Sequence, residues 1–221
     1  MTQKLARLET PIPGLHASAP HPLPFASSIV VRAFLLERGD GNLLVYSAPT
    51  LADDGPAIVE LGGVWRQYLN HWHEAAFGGA GALGAALHVH EADRERVEET
   101  AEVAGTFSAP GRIGDDFELV PIPGHTAGAT AYLWDSGDHR VLFTGDSVYV
   151  REGEWVAALL KGSSERAPYV ESLERLRELD FDVLVPWAAG RGAPYHALTD
   201  RTDARRRLGE IAGRLRRGEN H

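Results

Sequence analysis

The most specific chemistry in this 221-residue sequence lies in its ten histidines. His71 and His73 stand two residues apart, directly after an apolar segment, residues 64–69, that is predicted to be a buried strand. Two imidazoles at positions i and i+2 of an extended segment point to the same side, so they can share one metal ion. The sequence contains no cysteine, which excludes a thiolate zinc site, an iron–sulfur cluster, a disulfide framework and a cysteine nucleophile.

Two more potential ligands follow predicted strands in the same manner. His125 comes just after the predicted strand 117–122, and Asp146 comes just after the predicted strand 141–144. If these strand ends meet at one edge of a sheet, three neutral imidazoles and a carboxylate converge. Such a ligand set suits zinc, or iron where more water is coordinated.

A second pair of the same spacing, His88 and His90, competes with the first. This pair leads into a predicted helix whose first turn contains Glu91 and Asp93. Acidic residues stabilise the positive end of a helix dipole, so the segment is explained without a metal. We therefore favour His71 and His73 as the metal-binding pair, because His125 and Asp146 can complete their site.

The segment Gly79–Gly84 fits the pattern G-x-G-x-x-G of dinucleotide-binding turns. That site needs a strand before the glycines and a full helix opening from them. Here the next predicted strand starts at Ala86, which leaves no room for a helix. The segment is predicted to be a loop.

The elements that must position these residues are strands in hairpins, with helices between them. Alternation and turn residues predict strands over residues 29–36, 43–46, 64–69, 86–89, 117–122, 130–134, 141–144 and 183–185. Helices are predicted over 91–103, 169–179 and 199–217, residues 57–61 fit a helix or a strand, and residues 1–24 are predicted to be an irregular lead-in. This pattern indicates sheets covered by helices, an α/β or α+β fold in a single domain over residues 1–221.

Composition narrows the possible partners. The net charge is −9, so phosphate repulsion argues against nucleic acid and against an anionic membrane surface. The sequence shows no apolar run of the roughly 20 residues that span a bilayer, and the N-terminal segment lacks the apolar centre of a signal peptide, so a cytoplasmic location is expected. The arginines of the last predicted helix complement its dipole and keep the surface soluble. A small-molecule partner is therefore expected; the oligomeric state is left open.

The order of these motifs resembles the metallo-β-lactamase superfamily of hydrolases. The resemblance rests on Leu69–His73, Gly124–Thr126, Phe143–Asp146 and a late strand leading to Pro186, and it extends over roughly residues 25–190. It implies a four-layer αββα sandwich of two mixed sheets, with the site at one edge of the facing sheets. It also implies that His71, His73 and His125 form a first metal position, with the aspartate at Asp146 bridging to a second.

The sequence departs from the family at that second position. Where the family's first motif is H-x-H-x-D-H, the sequence has Ala75 and Ala76, and the histidine of the family's last turn is replaced at Ala188. All ligands of the first position remain, and three of the second are lost. Glu74, one residue out of register, as well as His90 and His196, stay open as replacements.

The leading functional hypothesis is a hydrolase that uses one zinc or iron ion. Water on such an ion drops in pKa from 15.7 to about 7, so hydroxide is available to attack an ester, thioester, lactone, lactam or phosphoester. Asp146 would ligate the ion or orient the water. Ser147, Tyr149 and Arg151 follow it in the chain and are candidates for stabilising the charge that develops on the substrate.

Two alternatives belong to other classes. The protein could be a metal-free, catalytically degenerate member that binds a ligand in an aromatic cleft with Trp72, Trp155 and Trp187. It could instead resemble relatives that oxidise sulfur compounds with one iron, using His71, His125 and Asp146. We rank the iron enzyme below the hydrolase, because those relatives are expected to keep the full first motif.

Overall fold

Leucine- and valine-rich segments form the first main sheet of the computed structural model, which describes residues 8–220. Strands are numbered in chain order over all sheets. In the described part of the chain, this sheet has the order β1 (Glu9–Ile12), β2 (Leu15–Ala17), β5 (Phe34–Leu36), β6 (Leu43–Val45), β7 (Arg66–Tyr68), β8 (Ala86–His90) and β9 (Gly105–Phe107). Strands β1 to β6 of the sheet pair antiparallel, and β6 to β9 pair parallel, so the sheet is mixed.

The second main sheet is also mixed. Its order is β10 (Gly111–Ile113), β11 (Phe117–Pro121), β12 (Thr130–Asp135), β13 (Arg140–Gly145), β16 (Val183–Pro186) and β18 (Ala197–Leu198). Only β13 and β16 pair parallel in it. Strands β3 (His21–Leu23), β4 (Ala26–Val31) and β17 (Ala188–Gly190) form a small third sheet, and β14 (Tyr149–Arg151) pairs with β15 (Glu154–Val156).

Helices cover the outer faces of both main sheets, as the αββα prediction requires. The helices are α1 (Leu51–Glu60), α2 (Arg94–Glu98), α3 (Arg166–Glu178) and α4 (Arg201–Arg216). A core of aromatic and aliphatic side chains lies between the two sheets, α3 and α4 cover the second sheet, and α1 and α2 cover the first. The predicted four-layer sandwich of two mixed sheets is therefore confirmed. Among the described residues, no helix has both the length and the hydropathy needed to cross a membrane.

The prediction of an irregular lead-in over residues 1–24 is wrong where the structure describes it, and residues 1–7 lie outside the described range. Strands β1, β2 and β3 occupy this segment, and β2 pairs with β5 in the first sheet. That prediction rested on the five prolines of residues 11–24, of which those within strands stand where a sheet tolerates them. Pro11 lies in β1 and Pro22 in β3, and both strands are edge strands, in which a missing N–H breaks no ladder.

Two other boundaries also differ from the prediction. The strand predicted over 29–36 is interrupted at Arg32 and Ala33, because β4 belongs to the small sheet and β5 to the first main sheet. The residues Asp53-Asp54-Gly55-Pro56 are typical of a chain break, yet they lie inside α1, whose Leu51 and Ile58 are buried against the first sheet. Burial of this apolar face outweighs the cost of Pro56 within the helix.

The helix predicted over 91–103 consists of a 3₁₀ turn, Glu91–Asp93, followed by α2, which ends at Glu98. The helices predicted over 169–179 and 199–217 correspond to α3 and α4 with small shifts, and Asp200 caps α4 by accepting from two backbone N–H groups. The arginines of α4 pair with acidic neighbours, including Arg206 with Asp203. This fits the solvated helix that was predicted.

An arginine clamp joins the two main sheets at one end. Arg38 follows β5, is almost completely buried, and donates from Nε to Asp116 Oδ2 at 2.7 Å and from Nη2 to Ile113 O at 2.9 Å. Asp116 immediately precedes β11 of the other sheet. Burial opposes ionisation of Asp116, but the hydrogen bonds and charge of Arg38 outweigh it and lower the pKa of the carboxyl.

We expect Asp116→Asn to lower the free energy of unfolding by about 2 kcal/mol at pH 7, between the values for exposed and buried ion pairs. Because the folded-state pKa of Asp116 is lowered, its contribution is present at neutral pH and is lost as the pH falls below the unfolded value. The variant should therefore lose less stability than the wild type on acidification to pH 3–4. Urea titrations across this range measure both effects. Glu98→Gln, in the exposed pair with Arg94, is the control and should change stability by less than about 0.5 kcal/mol.

Candidate functional site

Three loops that follow β7, β11 and β13 meet at one edge of the sandwich. Strands β11 and β13 both run antiparallel to β12, so their C-terminal ends lie together, beside the start of β12 at Thr130. The loop after β7 joins them through a hydrogen bond from Thr130 N to Asn70 O, 2.9 Å long. The strand-end placement predicted from the sequence is thus what the fold produces.

The loops bring the three predicted histidines together. One nitrogen of each of His71, His73 and His125 lies within 4.8 Å of the others, and this is the group with metal-site spacing among the described residues. His73 Nδ1 is 3.1 Å from His125 Nε2. His71 and His125 are buried, and His73 is partly exposed.

Asp146 stands next to the imidazoles. Its Oδ2 atom is 3.7 Å from His71 Nε2 and 4.0 Å from His125 Nε2. Its other oxygen, Oδ1, and His71 Nε2 are buried without a hydrogen-bond partner in the described part of the chain. Buried polar atoms are normally paired, because leaving one unpaired costs about 1–3 kcal/mol. A cation among these atoms would satisfy them, so the donor set fits a metal ion.

Neighbouring acceptors determine which nitrogen of each buried ring carries its proton. His125 Nδ1 is 2.7 Å from Ala158 O, so it donates there and leaves Nε2 with a lone pair. His71 Nδ1 faces two acceptors, Asn70 Oδ1 at 3.0 Å and Glu74 Oε1 at 3.2 Å. Nδ1 therefore carries the proton, and the Nε2 atom of His71 is left with a lone pair. This arrangement of an outer acceptor behind the ring is typical of metal-binding histidines.

Burial favours the neutral forms of His71 and His73 by lowering their pKa values. Burial, with smaller contributions from His125 and Arg96, lowers the pKa of His73 to about 4. Burial and the other two imidazoles lower the pKa of His71 well below its ordinary value. Neutral imidazole is the form that ligates a metal. Burial raises the pKa of Asp146, and His125 opposes this shift.

Glu74 is not positioned to ligate a metal. It stabilises the loop that bears His71 through hydrogen bonds to backbone N–H groups. Its carboxylate accepts from the backbone N–H groups of Asn70 at 2.8 Å, His71 at 3.2 Å and Ser47 at 3.0 Å. The side chain is completely buried. Burial raises its pKa well above the ordinary value, although the three donors favour the ionised form.

Asp93 is a site residue that sequence reasoning missed, because it was interpreted as part of an acidic helix start. Its carboxylate accepts from Trp72 N at 3.0 Å, Thr126 Oγ1 at 2.7 Å and Gly128 N at 2.9 Å. It thereby ties the loop of His71 and His73 to the loop of His125. A Cβ on Gly128 would come within 2.6 Å of the Asp93 carboxyl carbon, so this close approach requires glycine.

Asp146 is positioned by a tight turn at Gly145. Gly145 has φ 57°, and a Cβ there would lie 2.1 Å from Asn70 side-chain atoms, so only glycine fits. Tyr46 OH accepts from Gly145 N at 2.8 Å and donates to Val185 O at 2.6 Å. Tyr46 therefore fixes the ends of β13 and β16 from the opposite sheet.

The competing histidines lie elsewhere. His88 packs against Tyr68, and the His90 ring accepts from Ala92 N, so neither ring joins the three-histidine group. His196 precedes β18 and also stays outside that group, with its Nδ1 buried and unpaired in the described part of the chain. Gly79–Gly84 forms a loop with a short 3₁₀ turn, as predicted.

The positions that would hold second-metal ligands are apolar. Ala75 packs in a cluster with Leu87 and Val97, and Ala76 is exposed. Ala188 lies at the start of β17, and the preceding Trp187 places its ring 5.4 Å from the His71 ring. Trp187 Nε1 donates to Ser47 O at 2.7 Å, which holds the indole in place.

A cavity of about 1020 Å³ opens beside the cluster, with His73, Asp146 and Trp187 in its lining. Tyr149 and Arg151, the predicted charge-stabilising candidates, line the same cavity. Ser147 does not line it; its hydroxyl is buried and unpaired within residues 8–220.

Comparison with known proteins agrees with these features. Residues 47–188 match the family model described as the metallo-beta-lactamase superfamily. A hydroxyacylglutathione hydrolase from Bdellovibrio bacteriovorus is 31% identical over 121 residues, which cover 53% of this chain and 45% of that protein. The match thus spans about half the length of the curated relative.

Solved structures are similar over most of the chain. A metallo-beta-lactamase from Pontibacter korlensis matches with a TM-score of 0.71 and 17% identity, covering 95% of this chain and 98% of that one. ETHE1 from Myxococcus xanthus matches with a TM-score of 0.60 and 20% identity, covering 89% and 84%. At these identities the structures show a shared fold.

We expect Asp93→Asn to lower the free energy of unfolding by about 2–4 kcal/mol, because an amide cannot accept from all three donors and each bond to a carboxylate contributes about 1.5–3 kcal/mol. Chemical denaturation at pH 7 measures the change. Glu91→Gln, an exposed acid in the same 3₁₀ turn, is the control and should be close to neutral. Equal stability of both variants would contradict the bracing role of Asp93.

Proposed function

The chain belongs to the metallo-beta-lactamase superfamily, and on that premise we propose that it is a hydrolase of small molecules using a single metal ion. The observation that carries the proposal is the convergence of nitrogens from His71, His73 and His125, with a carboxylate oxygen of Asp146 3.7 Å from the first. Three imidazoles with one open position match the ligand number of catalytic zinc sites.

The ion would act as a Lewis acid and lower the pKa of a coordinated water to about 7, which supplies a nucleophile at neutral pH. The residues of the protein position the attacking water and the ligating imidazoles. Asp146 presents a free oxygen where it can accept a proton from the attacking water and hold that water's orientation. Ala158 O and Glu74 hold the imidazoles of His125 and His71 in the ligating tautomer.

The surroundings favour one ion rather than two. Alanine methyl groups at positions 75, 76 and 188 cannot coordinate a cation, and Ala75 is packed away in the core. The indole of Trp187 lies against the His71 ring. Without a second cation, stabilisation of the charge on the substrate falls to groups of the cavity, for which we propose Tyr149 and Arg151.

Metal content tests the ligand set. Protein purified and mildly dialysed should contain about one zinc or iron ion per chain by elemental analysis. His73→Ala should lose this ion, because only two of the three imidazoles would remain to bind it. His90→Ala, a change in the other His-x-His pair, is the control and should retain the ion. A reading near zero in the wild type, unchanged on adding metal, would leave the metal-free binding alternative.

Activity tests the role of Asp146. With the metal-loaded protein and a simple activated ester, Asp146→Asn should lower kcat by about 10²-fold or more, the usual contribution of a positioned acid–base group. Asp138→Asn, in the exposed turn between β12 and β13, is the matched control and should retain activity. The metal content of both variants is measured alongside, so that a lost ion is not mistaken for a lost base. Unchanged turnover in a metal-loaded Asp146→Asn would refute this role.

Iron content with consumption of oxygen and a thiol compound, and no hydrolysis, would instead support the alternative of sulfur oxidation.

A further inference from the structure

One wall of the large cavity is an unbroken series of aromatic rings. The ring of Phe25 lies 6.0 Å from that of Phe77, Phe77 lies 5.8 Å from Trp187, and Trp187 lies 5.4 Å from His71. Phe25 is 76% exposed, and His71 is buried. The wall therefore runs from solvent to the imidazole cluster.

The mouth of the cavity is apolar on the other side as well. Leu160 is 44% exposed and Leu198 is 69% exposed, and both line this cavity together with Phe25. These three make up half of the strongly exposed large apolar side chains in residues 8–220. Exposed apolar surface grouped around a concave site indicates the binding of an apolar ligand.

The cavity is lined by equal numbers of arginine and acidic side chains. The cavity contains two arginines, Arg151 and Arg207, and two acids, Glu152 and Asp146. Arg207 is already engaged by Asp203 at 2.7 Å and by Gly153 O at 3.1 Å. Glu152 adjoins Arg151 in the turn between β14 and β15. The side chains along the wall therefore supply little excess positive charge, and an uncharged chain would find a continuous apolar surface there. The proposed metal ion would add its charge only at the inner end, beside His73 and Asp146.

We propose that the substrate is an ester or thioester with a long, uncharged acyl chain that lies along Phe25, Phe77 and Trp187. Its carbonyl would then stand at the inner end of the cavity, at His73 and Asp146. This inference rests on the proposed hydrolase function. Hydrolysis breaks the acyl C–O or C–S bond. Water supplies the hydroxyl of the product acid and the proton taken by the leaving alcohol or thiol.

A series of p-nitrophenyl esters from acetate to octanoate, assayed on zinc-loaded protein, tests the acyl preference. Each methylene buried against the wall should raise kcat/KM by about threefold to fourfold until the cavity is filled. Phe25→Ser should lower the ratio of kcat/KM for octanoate to kcat/KM for acetate by about fivefold to tenfold, because only the longer acyl chain extends to the exposed end of the wall. Val59→Ser, an exposed apolar residue on α1 outside the cavity, is the matched control and should change neither ester.

A binding measurement separates the inference from the catalytic proposal. Uncharged n-alkanols from butanol to decanol, titrated into metal-free protein and followed by tryptophan fluorescence, should bind more tightly with each added carbon. Phe25→Ser should weaken decanol binding, and Val59→Ser should not. If alkanols bind in this way but no ester is hydrolysed, the hydrolase proposal fails while apolar recognition stands. A flat dependence on chain length in both assays, or a preference for a hydroxyacylglutathione thioester over octanoate, would overturn the inference.

Discussion

Two buried carboxylates hold the candidate site together. Glu74 and Asp93 between them accept six hydrogen bonds, five from backbone N–H groups and one from the hydroxyl of Thr126. Ser47 lies in the loop after β6, and the other donors lie in the loops after β7 and β11. Strand pairing does not satisfy these groups. Because a buried N–H without an acceptor is costly, each carboxylate makes one loop conformation much more favourable than the others. The positions of His71 and His125 follow from that choice.

The sequence predicted the part of this site that depends on local order along the chain. Asp146 follows β13 directly, and His71 and His125 lie within a few residues of the ends of β7 and β11. His73 lies in a 3₁₀ helix, Trp72–Phe77, so the extended segment predicted for the His71–His73 pair ends at His71. The ends of neighbouring strands that run the same way meet at one edge. Alternating apolar patterns located these strands, so the convergence of the four side chains could be anticipated. The layered fold could be anticipated from the order of predicted strands and helices, since sheets and amphipathic helices must bury their apolar faces against one another.

Long-range contacts account for what the sequence could not predict. Asp93 looks like an ordinary acid at a helix start, and its three donors come from segments 21 to 35 residues away. Tyr46 acts on Gly145 across 99 residues of chain. The strands before residue 24 were not recognised because the segment contains prolines. A sheet tolerates proline in an edge strand, and only the assembled fold shows which strands are at an edge. Gly128 is a local sequence feature that the Asp93 contact requires. The sequence does not show which residue approaches this glycine, so it could not predict the contact.

The alanines at the predicted second-metal positions and the aromatic wall are neighbours in the chain, since Ala76 precedes Phe77 and Trp187 precedes Ala188. The side of His71 next to Ala188 is occupied by Trp187, whose ring lies 5.4 Å from the His71 ring, and Phe77 packs 5.8 Å from Trp187. Replacing charged and imidazole groups with rings and methyl groups removes water from that side, and electrostatic interactions strengthen where water is excluded. The proposed cation, which His71, His73 and His125 would hold, would then supply its Lewis acidity in a less hydrated site. The same rings offer an apolar chain a surface next to the reacting carbonyl, so binding and polarisation would come from one set of side chains.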